Sequence, residues 1–203
     1  MRIETLDGEA IELRTGDELL CSGTGPLSKL IIWFNELAGI MGPPAELSHV
    51  AKFISGDVFE ATTLNKWCLK KGYQSNPFPV WLQNYPGRVW VRQLTGVDID
   101  EFKYFQTAYG LLGTPYENGI PGFIELLMAG ILKKIPFLSF ISKRMLETTE
   151  LHCSEANVKL SQKMRYYNKS VKPNKMPPSQ FWPGGRYDKG LIVGALGEPK
   201  RLK

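Results

Sequence analysis

A chain of 203 residues, 43% hydrophobic and 22% charged, is long enough to bury a sizeable core in one domain and is not composed like a disordered or fibrous protein. Its formal charge of +5 is only mildly basic. Much of the excess lies late, from Lys159 to Lys203, where it reads as a solvated face rather than a nucleic-acid footprint, and no nucleic-acid partner is expected. Three cysteines without a CxxC pair, and two distant histidines, imply neither a disulfide framework nor a zinc site, so no metal and no cofactor is expected. The opening residues lack the layout of a secretory signal, which leaves a cytoplasmic setting as the default.

In chain order, Arg2 to Leu13 alternates around Asp7-Gly8, the pattern of a hairpin with a tight turn. A short apolar strand, Glu18 to Cys21, follows Gly16-Asp17. Gly25-Pro26 then opens a helix expected over Leu27 to Ala38. A second hairpin runs from Leu47 to Ile54, turns at Gly56-Asp57 and returns through Val58 to Thr62. Residues beyond it, with Pro77, Pro79 and Pro86-Gly87, read as a long turn-rich stretch before a third strand over Arg88 to Leu94. The clearest helices fall at Asp98 to Leu111 and Ser154 to Tyr166.

Residues 120–147 are rich in Ile, Leu and Phe and are split by Pro136. Glu125 and Lys133-Lys134 interrupt them, so no run reaches membrane-spanning length. A pair of buried helices, or a peripheral lipid- or acyl-contacting surface, are the two readings of this apolar insertion. Residues 168–203 form a basic, proline-rich tail. The whole is expected as a single domain of α+β class, an antiparallel sheet packed against helices.

Cys153 falls at the expected first turn of a helix, where free backbone N–H groups and the positive dipole end favour a thiolate. Cys21, within an apolar strand, and Cys68, beside Trp67, read as small buried thiols. A cysteine nucleophile needs an imidazole to exchange its proton. His152 adjoins Cys153 in sequence and is badly placed to face it, which leaves His49 as base. Glu60, on the returning strand, shares a face with His49 by the period-two alternation and could orient the ring. A Gly56-Asp57 turn would separate the two by about four ladder positions, roughly 13 Å, too far for contact.

With these residues in place, the chain resembles the permuted NlpC-type papain-like hydrolases, in particular their YiiX-like branch. The resemblance rests on Gly16-Asp17-Glu18-Leu19-Leu20, Ser48-His49-Val50, Val58-Phe59-Glu60-Ala61, Gly113-Thr114-Pro115-Tyr116-Glu117 and His152-Cys153-Ser154-Glu155-Ala156. Histidine comes first, glutamate second and cysteine last, the order of that branch. The resemblance implies a circularly permuted papain-like (NlpC-type) fold, with Cys153 as nucleophile, His49 as base and Glu60 as orienting acid. Tyr116 matches a family tyrosine that lines the substrate site, or is a core aromatic at a loop end. Asp17 is expected as a turn or cap residue.

The expected activity is thiol-dependent cleavage of an amide or peptide bond through an acyl-enzyme, with a peptidoglycan-type peptide as one candidate substrate. Two alternatives stand beside it. One is a lipid esterase or acyltransferase using the same triad. The other is a non-catalytic binding module, for which the five tryptophans and Phe181-Trp182-Pro183 would supply an aromatic surface.

Overall fold

The structure, a computed structural model, describes residues 1–37, 39–62, 72–115, 153–173 and 176–203. The apolar insertion, Tyr116, Cys68 and His152 lie outside the described residues.

The first hairpin forms from β1 (Arg2–Glu4) and β2 (Ala10–Glu12). Then come β3 (Glu18–Gly23), α1 (Pro26–Leu37), a 3₁₀ turn at Pro43–Glu46, β4 (His49–Ile54) and β5 (Asp57–Thr62). The stretch expected as turns instead holds β6 (Gly72–Pro77) and α2 (Phe78–Asn84). The prolines explain both. Pro77 ends the strand, and Pro79 sits in the first helical turn, where its missing N–H had no helical partner to lose. β7 (Gly87–Arg92), β8 (Leu94–Thr95) and α3 (Glu101–Tyr109) follow, the last capped by the Asp100 carboxylate, which accepts from Lys103 N–H at 2.9 Å. After residue 152 come α4 (Cys153–Lys163), a 3₁₀ turn at Pro178–Phe181, α5 (Arg186–Gly190), β9 (Ala195–Leu196) and β10 (Lys200–Arg201).

Six strands form one antiparallel sheet in the order β10-β7-β3-β4-β5-β6. Alternation splits its side chains into two cores. Leu20, Val50, Ile54, Phe59 and Ala61 pack with Tyr104 and Ala108 of α3 and Ala156, Val158 and Leu160 of α4. Leu19, Cys21, Ala51, Phe53 and Val58 pack on the other face with Ile11 and Leu13 of the hairpin and Phe78 and Trp81 of α2. The sheet is thus covered on both faces, the arrangement expected of an α+β chain.

The basic stretch from residue 168 does not hang in solvent as a whole. Phe181 and Tyr187 are fully buried, and Arg92, itself buried, pairs with Asp188 at 2.7 Å and donates to the Phe181 carbonyl at 2.6 Å. Trp182 stacks edge-on against Trp90, so the Phe181-Trp182 pair serves packing more than an open aromatic surface.

Candidate active site

His49 opens β4, and Glu60 lies on β5. The register joining them is set by the turn. Ser55 and Gly56 both adopt positive φ, 50° and 95°, as a two-residue type I′ turn requires, and Ile54 pairs with Asp57 across it. The turn therefore sits one residue earlier than expected from Gly56-Asp57. That single step brings His49 and Glu60 two positions closer along the ladder, to a diagonal within side-chain reach. The His49 Nε2 and Glu60 Oε2 atoms are 2.7 Å apart.

Glu60 is almost wholly buried, and its other oxygen is also held. Oε1 accepts from Trp81 Nε1 at 3.1 Å and from Gln74 Nε2 at 3.3 Å. Gln74 is the cross-strand partner of Glu60 on β6, and Trp81 reaches in from α2. A carboxylate gripped from three elements cannot swing away from the imidazole. Neither Gln74 nor Trp81 stood out in the sequence, since no spacing links them to Glu60 before the sheet is assembled.

Cys153 is the first residue of α4, which packs against β4 and β5. The paired register of β4 with β5 ends at Lys52↔Phe59, and beyond that point Val50 gives its backbone N–H to the Cys153 sulfur. Ser154 N–H, free at the start of the helix, donates to the same sulfur. The side chains of Cys153 and His49 are hydrogen-bonded to each other. With Nε2 engaged by Glu60, Nδ1 is the nitrogen left for the thiol. The structure thus brings Cys153, His49 and Glu60 into one connected chain.

The electrostatics follow from this geometry. Burial on its own would raise the Cys153 pKa, but the neighbouring imidazolium and the two backbone N–H donors overcome it and hold the thiol below its usual value. Burial would likewise lower the His49 pKa. The negative sulfur and the Glu60 carboxylate win, and His49 is pushed up to about 10. Both shifts favour a thiolate–imidazolium pair at neutral pH. Cys21, the cross-strand partner of His49, behaves oppositely. It is fully buried, and burial together with the nearby charges of Glu60 and Cys153 pushes its thiol well above the usual range.

Asp17 takes the structural place expected of it. Its carboxylate accepts from Arg14 N–H at 2.9 Å and Leu94 N–H at 2.8 Å, tying the turn before β3 to β8. Ser48, just before the histidine, accepts from Gly23 N–H at 3.0 Å and so fixes the entry to β4 against the end of β3.

No protein-family model matches the chain, and no curated protein matches it. Among solved structures it is similar to the crystal structure of the metalloprotein YiiX from Escherichia coli O157:H7, of the DUF1105 group, at 17% sequence identity and a TM-score of 0.50. The match covers 95% of this chain and 98% of that one. At that identity the likeness is one of fold. A mixed α+β architecture, with an antiparallel sheet and flanking helices, is shared with the YiiX-like family over nearly the full length of both chains.

Proposed function

We propose that this protein is a thiol hydrolase of permuted papain-like design that cleaves an amide or peptide bond through an acyl-enzyme. The observation that carries the reading is the connected chain from Cys153 through His49 to the doubly anchored Glu60. The base-acid-nucleophile order along the sequence is the permuted order.

In this mechanism the Cys153 thiolate attacks the substrate carbonyl, forming a carbon–sulfur bond and a tetrahedral oxyanion. Collapse breaks the carbon–nitrogen bond, and the His49 imidazolium gives its proton to the departing amine. Neutral His49 then takes a proton from water, and the resulting hydroxide attacks the thioester and expels the thiolate. The acid product leaves, and the imidazolium–thiolate pair is restored. Glu60 keeps the ring oriented and stabilises its positive charge throughout. An ester would be cleaved by the same steps with an alcohol as leaving group.

The neighbouring structure is that of a metalloprotein, which makes the same three residues candidate metal ligands. They do not fit that role. His49 Nε2 and both Glu60 oxygens are already engaged in hydrogen bonds, and no group of three His, Cys, Asp or Glu among the described residues is arranged to hold an ion. No step is assigned to a metal.

The experiment is competitive alkylation of the native protein with iodoacetamide, followed by mass mapping, together with a hydrolysis assay on a panel of amide and ester substrates. Cys153 should be modified first, and Cys153→Ala should abolish turnover. Preferential modification of Cys21, or full activity in Cys153→Ala, would sink the proposal.

A further inference from the structure

Helix α2 meets the candidate active site through two side chains. Trp81 Nε1 donates to Glu60 Oε1 at 3.1 Å. The hydroxyl of Tyr85, the C-cap residue, is hydrogen-bonded to the sulfur of Cys21, the cross-strand partner of His49. The Trp81 and Tyr85 rings pack on each other, centroids 5.0 Å apart, and both are buried. The last turn of α2 therefore sets where Glu60 is held.

That turn cannot satisfy its own backbone. The helical donor for the Leu82 carbonyl would be residue 86, a proline with no N–H. The donor for the Gln83 carbonyl would be Gly87, whose N–H goes instead to the Tyr85 carbonyl at 3.0 Å. Lys203 supplies what is missing. Its ammonium donates to the carbonyls of Leu82 at 3.2 Å, Gln83 at 2.9 Å and Tyr85 at 2.7 Å, which uses all three of its N–H groups. A cation at this end of a helix is also favoured by the helix dipole. The backbone that presents the ammonium is itself fixed. Val89 N–H donates to a Lys203 main-chain oxygen at 3.0 Å, and Leu202 N–H donates to the Val89 carbonyl at 2.8 Å. Leu202 is buried in the same core as Trp81 and Tyr85.

We propose that Lys203 is a positioning residue for the triad: it locks the last turn of α2, which holds Trp81 against Glu60 and thereby Glu60 against His49. The link from Lys203 to Glu60 belongs to the fold; that it serves turnover rests on the reading under Proposed function. Gln74 grips the same Glu60 oxygen from β6, so loss of Lys203 loosens the carboxylate without freeing it.

The test is a double-mutant cycle on the full chain. Lys203→Met keeps the apolar stem and drops the charge, and Trp81→Phe keeps a ring and drops the N–H. NMR titration of the His49 ring is the readout, with urea unfolding alongside to confirm the fold. Each single variant should lower the His49 midpoint by about one pH unit, because a loosened Glu60 stabilises the imidazolium less. The double variant should fall no further than Trp81→Phe alone. Loss of a positive charge acting only through space would move the midpoint upward instead. A midpoint that rises or stays put in Lys203→Met, or falls that add in the double variant, overturns the proposal. Should Lys203→Met fail to fold, Lys203→Gln takes its place in the cycle under the same criteria. Wild-type Cys153 that iodoacetamide modifies no faster than Cys21 would remove the thiol hydrolase, and the cycle would still decide the link from Lys203 to Glu60.

Discussion

Two buried thiols lie close to the same imidazole, and only their hydrogen-bond partners separate them. Cys153 receives two backbone N–H groups and an imidazolium, whereas Cys21 faces nearby negative charge in a fully buried position. Alkylation of Cys153 should therefore persist below the pH at which ordinary thiols fall silent, while Cys21 stays unreactive until the protein unfolds. His49, raised to about 10, contributes stability that is fully present below its unfolded value near 6.5 and is lost as pH rises through 10. NMR titration of the two histidines should show His49 protonated through neutral pH, and Cys153→Ala should move its titration downward. Replacing Glu60 with Gln should lower turnover on the order of 10²–10⁴-fold, with thiol alkylation slowed as well. The few cysteines and histidines singled out Cys153 and His49 in the sequence, and it was strand alternation from His49, with the family resemblance, that pointed to Glu60. The grip of Trp81 and Gln74 on Glu60 was not readable, because it exists only once β6 and α2 are folded beside β5.

At the scale of elements, one turn decides whether the site forms. Gly56-Asp57 is a common turn pair, but it is Ser55 and Gly56 that take the left-handed conformation here, and the shift by one residue converts a separation too long for contact into a 2.7 Å hydrogen bond. Forcing the turn should therefore disarm the site without touching it. Gly56→Val, a β-branched residue at φ of 95°, should destabilise the fold by about 1–2 kcal/mol in urea unfolding and slow Cys153 alkylation. The 3₁₀ turn before β4 depends in the same way on one side chain. Asn35→Ala leaves two carbonyls without their donor and should cost about 1–3 kcal/mol by the same measurement. The hairpins and α1 were legible from alternation, Asp-Gly and Gly-Pro. β6 and α2 were not, since prolines that punctuate their ends resemble loop prolines in sequence.

Across the whole molecule, the sheet carries a second polar assembly away from Cys153. Lys52 and Glu18, both essentially unexposed, form a buried ion pair between β4 and β3. Lys52 also lies near the Tyr187 hydroxyl at 3.4 Å, and that hydroxyl bonds Ser161 of α4 at 2.7 Å. The network ties the helix that carries Cys153 to the strand that carries His49. Lys52→Met should be strongly destabilising, about 3–5 kcal/mol, because Glu18 is left in the core without its partner, and joint replacement with Glu18→Leu should recover much of that loss. Thermal unfolding of the three variants checks the ordering. Cys153 and His49 lie about a hundred positions apart in the chain, so their meeting waits on long-range docking of α4. A nascent or refolding molecule accordingly carries Cys153 as an ordinary thiol, without the lowered pKa that His49 gives it. Alkylation that persists at low pH should then appear only once α4 has docked against β4, so that the pH dependence of Cys153 labelling reports when that contact is made.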